Sequence, residues 1–173
     1  MADLNEKKVL MVVAPENFRD EELKEPMAIF TRSGAEVTIA SKGVNRVTGM
    51  FGAEVKVDKD LAEVRAGDYD AVIFVGGSGA DVYFNDSRAL ALATNAFKSG
   101  KIVGAICIAP STLANAGLLK GKKATAFSSE KKNLVKKGAD YTGAAVERDG
   151  RIITGRGPEA AEEFGNEVAS ALE

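Results

Sequence analysis

The sequence predicts an α/β fold, a doubly wound and mostly parallel sheet with helices on both faces. Three observations lead to it: apolar, β-branched runs recur along the chain, helical stretches separate them, and no proline-rich linker or repeat interrupts the series. Runs that are apolar throughout are typical of strands buried on both faces of a parallel sheet. Strands that alternate with helices indicate right-handed crossovers and hence a doubly wound sheet. Because the chain has the length of one domain and no linker divides it, we predict one domain over residues 1–173.

The predicted strands are short runs rich in Val, Ile and Ala, at residues 8–14, 37–41, 71–77, 101–106, 123–127 and 151–155. The predicted helices lie between and after them, at residues 21–33, 87–99, 108–116, 129–137 and 158–172. Residues 48–58 instead alternate polar and apolar side chains and contain glycine. That pattern favours a small hairpin beside the main series.

Charge and hydropathy narrow the range of partners. The 173 residues contain 25 acidic and 23 basic side chains, for a net charge of −2. Such a chain has no overall positive field to hold a nucleic acid or an anionic membrane. No apolar run approaches membrane-spanning length, and residues 1–8 lack a secretory pattern. We therefore expect a cytoplasmic protein with small-molecule or protein partners.

The chain has one cysteine, Cys107, and no histidine. A single cysteine cannot form an internal disulfide or a multi-thiolate metal cluster, which suits a reducing compartment. Without histidine the chain cannot supply a Ser-His-Asp triad, a Cys-His dyad or an HExxH zinc site. The sequence predicts no metal and no cofactor. Proton transfer must use a carboxylate, lysine, tyrosine, the thiol or water.

Cys107 lies where a predicted strand passes into a predicted helix, in GAICIAPSTLANAG. Small residues, Ala105 and Ala109, stand two positions to either side, which is typical of the sharp turn called a nucleophile elbow. A helix N-terminus would lower the pKa of the thiol and make it reactive. Free cysteine is also a common small buried hydrophobe. The pattern alone leaves both interpretations open.

An acidic cluster follows the first strand, in PENFRDEELKEP. Acids in the first turn of a helix complement its dipole and are usually solvated. A functional carboxylate, for which Glu22 is the candidate, would have to point inward over the sheet edge, where burial raises its pKa. The sequence does not give that orientation.

Glycines follow another predicted strand, in VGGSGADV. Gly76, Gly77 and Gly79 would let the backbone approach a ligand and offer amide donors to it. The spacing is not GxGxxG, and no acidic residue stands where a dinucleotide site needs one. A tight structural turn explains these glycines equally well.

Together and in this order, four segments resemble the ThiJ/PfpI superfamily, which includes intracellular protease I and the parkinsonism-associated protein deglycase. They are APENFRDEELKEP, FVGGSG, VGAICIAPSTLANAGLLKGKKAT and ITGRGPEAAEEFGNEV. The resemblance implies a flavodoxin-like fold of the class I glutamine amidotransferase type. It also implies that Cys107 is the reactive cysteine, that Glu22 is the acid hydrogen-bonded to it, and that the backbone of Gly77 and Ile108 faces the pocket.

Two further expectations come with the resemblance. Arg156, in the R-G-P turn, is a candidate for binding an anionic ligand near the thiol, although a surface ion pair is the commoner role for such a residue. Members of the family usually form homodimers that cover part of the pocket, so we expect a homodimer.

The sequence departs from the protease branch at Ile108, which stands where those members have a histidine after the cysteine. Our leading hypothesis is glyoxalase or deglycase chemistry on a reactive aldehyde or glycated substrate, with Cys107 attacking and Glu22 moving the proton. The alternative is a non-catalytic stress protein, in which Cys107 senses oxidation or the fold acts as a holdase. Intracellular protease-like hydrolysis is third, because the histidine is missing.

Overall fold

The computed structural model describes residues 2–173, and within them the chain alternates between strands and helices. The strands are β1 (Lys8–Val12), β2 (Glu16–Phe18), β3 (Glu36–Ser41), β4 (Arg46–Gly49), β5 (Glu54–Lys56), β6 (Lys59–Asp60), β7 (Ala71–Phe74), β8 (Ile102–Ile106), β9 (Lys123–Ala124), β10 (Asp140–Tyr141), β11 (Val146–Asp149) and β12 (Ile152–Gly155). The α-helices are α1 (Asp20–Arg32), α2 (Ser87–Lys98), α3 (Pro110–Asn115), α4 (Lys131–Lys136) and α5 (Ala161–Leu172).

Seven strands form the main sheet, in the order β11-β12-β8-β7-β1-β3-β6. Neighbouring strands are parallel throughout, except that β11 is antiparallel to β12 at one edge. The predicted mostly parallel sheet is therefore confirmed. From β1 the chain winds first to β3 on one side and later to β7 on the other, which places a topological switch point beside β1. Ligand sites in open α/β sheets form at such points, beyond the carboxyl ends of the strands.

Each face of the sheet has its own hydrophobic core. Val9 and Met11 point to the face covered by α1 and α5, whereas Leu10 and Val12 point to the face covered by α2, α3 and α4. Alternation of this kind follows from the period of two along a strand. Because both faces are covered, the strands read as continuous apolar runs, as the sequence predicted.

Three local features differ from the sequence-based prediction or add to it. The strand predicted at 123–127 is limited to β9, which pairs with β10 outside the main sheet. The edge strand β11 was not predicted, because its VERD sequence is polar, as suits an exposed edge. The hairpin predicted at 48–58 is confirmed as β4 and β5, and β2 pairs with β4 to complete a small sheet. In the part of the chain that the structure describes, no helix is long and apolar enough to span a membrane.

Candidate active site

Cys107 occupies a strained turn at the carboxyl end of β8. Its φ of 65° lies in the left-handed region, which costs a residue other than glycine on the order of 1 kcal/mol. Two backbone hydrogen bonds hold the turn: the amide of Cys107 donates to the carbonyl of Gly155 at 3.0 Å, and its carbonyl accepts from the amide of Phe127 at 2.8 Å. The predicted sharp turn is therefore confirmed, and it leaves Cys107 only 8% exposed.

The acidity of the thiol differs from the sequence-based expectation. Burial and the nearby charge of Glu22 raise the pKa of Cys107 to about 12, and the backbone amides of Gly77 and Ile108, which face the sulfur, only partly oppose this. Helix α3 begins three residues later and has six residues, so its N-terminus is not at the thiol. The expectation that a helix N-terminus lowers this pKa is therefore wrong.

Glu22 points inward from the first turn of α1 and is completely buried. Burial raises the pKa of its carboxyl to about 8, although the thiol of Cys107 and the charge of Arg19 act to lower it. Glu25, in the same acidic cluster, is exposed. Glu22 therefore points inward, an orientation that the sequence did not give.

Gly76 brings the carboxyl and the thiol together. A Cβ at this position would overlap Glu22 Oε1 and would lie 2.5 Å from both Cys107 Cβ and the carbonyl oxygen of Ile106. Any larger residue at position 76 would push these groups apart. Neither carboxyl oxygen of Glu22 has a hydrogen bond of good geometry with a described residue, yet the thiol is close enough for hydrogen bonding to shift both pKa values. The two groups are adjacent, without a well-formed hydrogen bond between them.

Glu22 and Cys107 titrate as a pair because each lies within the field of the other. The carboxyl, with a pKa of about 8, loses its proton before the thiol, whose pKa is about 12. Below pH 8 the carboxyl is neutral and its charge does not oppose formation of a thiolate. Above pH 8 the pair holds one proton, and the carboxylate is a base beside a nucleophile.

The glycines after β7 allow two segments of backbone to approach each other. Gly77 has a φ of 108°, and a Cβ there would lie 2.6 Å from the carbonyl oxygen of Asn17. A Cβ at Gly79 would likewise overlap the carbonyl oxygen of Glu16. The glycines therefore allow close packing against the β2 segment, as the interpretation of a tight structural turn requires. The amide of Gly77 also faces the Cys107 sulfur.

A small cavity of about 260 Å³ opens beside the thiol. Its walls are mainly apolar, and it is lined by Arg19, Met50, Gly77, Ser78, Cys107, Ile108, Phe127, Ser129 and Pro158. Of the described residues in this lining, Arg19 alone carries a cation. Sequence reasoning missed Arg19, because a basic residue within an acidic surface segment gives no signal of its own.

Arg156 lies outside the lining of this cavity, although the R-G-P turn reaches it through Pro158. Its Nε donates to Glu159 Oε1 at 2.9 Å, and its Nη1 donates to the carbonyl of Gly143 at 3.0 Å. The contacts of Arg156 are those of the surface ion pair considered above, and its role in anion binding stays a prediction. Within residues 2–173, no cluster of three or more His, Cys, Asp or Glu is placed to hold a metal ion.

The fold and the site define an α/β protein with a cysteine on a sharp turn beside a buried carboxyl, and comparison with known proteins identifies the class. A model of the DJ-1/PfpI family matches residues 7–171. A putative cysteine protease of Bacillus subtilis is 34% identical over 166 residues, 95% of this chain and 98% of the relative. A deglycase of Pyrococcus horikoshii is 34% identical over 151 residues, 87% of this chain and 90% of the relative.

Comparison with solved structures indicates the same family. The crystal structure of a ThiJ/PfpI domain protein from Brachyspira murdochii matches with a TM-score of 0.93 and 31% identity, over 95% of each chain. The chain therefore belongs to the DJ-1/PfpI family and has its flavodoxin-like fold. The resemblance drawn from the four sequence segments is confirmed.

Proposed function

We propose that this protein carries out cysteine-dependent glyoxalase or deglycase chemistry on small reactive aldehydes, with Cys107 as nucleophile and Glu22 as proton carrier. The observation that supports it most directly is the buried, unpartnered carboxyl of Glu22 next to the thiol. A carboxyl with a pKa of about 8 is well matched to general acid–base catalysis near neutral pH.

The proposed reaction with methylglyoxal starts when the Glu22 carboxylate takes the thiol proton and the Cys107 sulfur adds to the aldehyde carbon. The proton passes to the new alkoxide and gives a hemithioacetal. Glu22 then removes the hydrogen on that carbon as a proton and delivers it to the neighbouring ketone carbon, while the former ketone oxygen gains the hydroxyl proton. The product is a thioester of lactate, and water hydrolyses it to lactate and free thiol, so the net change is addition of one water.

Two groups support the charges that develop in these steps. The amides of Gly77 and Ile108 face the sulfur and stabilise negative charge at the turn. The raised thiol pKa means that attack depends on a base, and Glu22 is the adjacent one. This assistance replaces the histidine that the chain lacks.

The size of the cavity and the relatives support a small substrate. A volume of about 260 Å³ accommodates a short aldehyde or one glycated group better than a folded segment of polypeptide. A relative from Pyrococcus horikoshii is named a deglycase. The single cysteine, which has no partner for an internal disulfide, also supports our proposal of a cytoplasmic location.

The direct test is methylglyoxal consumption by the purified protein and by Cys107→Ser, at enzyme concentrations high enough to detect slow turnover. We expect lactate to form with the wild type and the rate to fall by at least about a thousandfold in the variant, because the nucleophile is lost. Ser78→Ala, which alters the same cavity but not the thiol, is the matched control. A wild type that forms no lactate would contradict the proposal.

The second candidate function is oxidation sensing. The same amides that face the sulfur, together with a protonated Glu22, would hydrogen-bond a sulfinate. Intact-mass measurement after mild peroxide treatment distinguishes it: a gain of two oxygens confined to Cys107 supports a sensor, and unselective oxidation counts against one. We propose that any role as a stress protein or holdase would act through oxidation of Cys107.

Protease-like hydrolysis is the third candidate, supported by the relative named a putative cysteine protease. It needs a base to activate the thiol and an acid to protonate the leaving amine, and Glu22 would have to fill both roles. Peptide cleavage that is blocked by alkylation of Cys107 would support this function over the first.

We also propose that the protein forms a homodimer that covers part of the cavity. Exposed apolar side chains gather at its mouth, where Met50 is 40% and Phe127 46% exposed. Sedimentation equilibrium tests this. A dimer that Phe127→Asp dissociates would support the arrangement, and a monomer at every concentration would refute it.

A further inference from the structure

Arg19 introduces a cation into a cavity whose other walls are mainly apolar. Arg19 lines the same space as Cys107, and its side chain is 30% exposed. Met50, Ile108 and Phe127 supply the apolar surface around it. A charge in such surroundings interacts more strongly with a ligand than one in open water, because the apolar walls lower the local dielectric.

The guanidinium is held in place with one edge still available. Arg19 Nε and Nη2 both bind Glu21 Oε2, at 3.0 and 2.9 Å, and the guanidinium carbon lies 4.6 Å from the centre of the Phe51 ring. No described residue accepts a hydrogen bond from Nη1. Because guanidinium presents N–H pairs on two edges, the edge containing Nη1 is left to bind a planar carboxylate. An arginine fixed on two sides also loses little conformational entropy when it binds.

The guanidinium lies within the electrostatic field of Glu22 and Cys107. Its pKa is raised first by the hydrogen bond to Glu21 and then also by the charges of Glu22 and Cys107. Glu159, the other carboxylate nearby, is already paired with Arg156. Glu21 compensates part of the charge of Arg19, and its removal should therefore strengthen any anion binding.

On this basis, and resting on the function proposed above, we infer that the cavity selects 2-oxoaldehydes whose short apolar chain ends in a carboxylate. Arg19 binds that carboxylate while Cys107 takes the aldehyde. With 4,5-dioxopentanoate as substrate, the aldehyde carbon is oxidised to a carboxylate and the adjacent ketone carbon is reduced to an alcohol. Water supplies the added oxygen, and the product is 2-hydroxyglutarate, so no external oxidant or reductant is required.

The test compares kcat/KM for the anionic 4,5-dioxopentanoate with that for neutral methylglyoxal and neutral, apolar phenylglyoxal. We expect the wild type to prefer the anionic substrate over methylglyoxal by at least about tenfold, an interaction of about 1.4 kcal/mol or more. Arg19→Gln should reduce that ratio about tenfold, mainly through KM, and Arg19→Lys should restore part of it. The ratio is the readout because the charge of Arg19 also acts on Glu22, which affects every substrate.

Glu21→Gln supplies the matched variant, because it removes the compensating charge and leaves an oxygen that still accepts from Arg19. We expect it to raise the preference for 4,5-dioxopentanoate. An equal ratio in the wild type and Arg19→Gln, or a fall in Glu21→Gln, would overturn the inference.

A binding experiment separates this inference from the proposed function. Levulinate has the length and charge of the anionic substrate but no aldehyde, and 2-pentanone is its neutral counterpart. Levulinate should protect Cys107 from alkylation by iodoacetamide better than 2-pentanone does, and Arg19→Gln should abolish the difference. If no aldehyde is consumed but this protection is seen, the proposed function fails and the anion site stands. Equal protection by both compounds would overturn the site.

Discussion

Asp20 and Glu22 lie two positions apart in the first turn of α1, both are buried, and their chemistry is opposite. Burial acts to raise the pKa of Asp20, but hydrogen bonds donated by the amides of Phe51 and Ala53, at 3.1 and 3.0 Å, outweigh it and lower the pKa. Glu22 has no such partners, and burial raises its pKa to about 8. Burial alone does not decide the pKa of a carboxyl; it raises the pKa where hydrogen-bond donors do not offset it.

The two acids also act on different parts of the molecule. Asp20 fastens the turn between β4 and β5, which carries Met50 to the edge of the cavity. Glu22 faces the thiol across Gly76. One acid therefore positions a wall of the site, and we propose that the other takes part in its chemistry; the variants below are chosen to separate these roles.

The largest expected effect is on catalysis. Glu22→Gln should lower kcat/KM for methylglyoxal by about 10² to 10⁴, because the amide keeps the shape of the side chain but cannot carry a proton. Asp20→Asn should lower it by less than about tenfold, since it disturbs only the position of a wall. If steady-state kinetics gave the two variants similar losses, the distinction between a reactive and a structural acid would fail.

The next effect is on stability, and its sign is opposite in the two variants. Below pH 4.5, the ordinary pKa of a glutamate, Glu22 is protonated in both the folded and the unfolded chain. Between 4.5 and about 8 the unfolded chain releases this proton while the folded protein keeps it, so stability falls as pH rises. Glu22→Gln should therefore raise the free energy of unfolding at pH 7 by about 3 kcal/mol.

Urea denaturation at several pH values measures this difference, which should vanish below pH 4.5. Asp20→Asn should instead lower the free energy of unfolding at pH 7 by about 1 to 2 kcal/mol, because asparagine accepts only one of the two amide hydrogen bonds. A Glu22→Gln protein that is less stable than the wild type at pH 7 would show that the carboxylate is stabilised in the fold, contrary to its raised pKa.

The smallest effect is on thiol reactivity. The rate of Cys107 alkylation by iodoacetamide should rise about tenfold between pH 7 and pH 9 in the wild type, as the pair loses its first proton near pH 8. Asp20→Asn should keep this tenfold rise and level off above pH 8, whereas the rate in Glu22→Gln should rise about a hundredfold over the same range without levelling off, because a lone thiol with a raised pKa forms thiolate in proportion to hydroxide. The same step in all three proteins would assign the titration to a group other than Glu22.

Much of the architecture and part of the site were predictable from local sequence. The apolar runs predicted five of the seven strands of the main sheet, and alternation predicted the β4–β5 hairpin. The small residues around Cys107 predicted its turn, because only small neighbours fit where a strand reverses so sharply. The edge strand β11 escaped prediction because strands at an edge need not be apolar.

Other parts of the site depend on contacts between distant segments. Four acids, at positions 20, 21, 22 and 25, look alike in the sequence, and only the packing of α1 on the sheet decides that Glu22 turns inward unpartnered while Asp20 meets two amides. The sign of the Cys107 pKa shift depends likewise on burial and on Glu22, from a segment 85 positions earlier in the chain. The position of Arg19 in the cavity wall likewise depends on packing between segments that are distant in the sequence.

The sequence by itself determined the alternation of strands and helices, the missing histidine and the sharp turn at Cys107, because each depends on composition or on neighbours in the chain. The tertiary structure decided which carboxyl is deprived of hydrogen bonds, which way the thiol pKa moves and which cation enters the cavity. Solvation and charge act through space, and they depend on where the carboxyl ends of β1, β7 and β8 bring separate segments together.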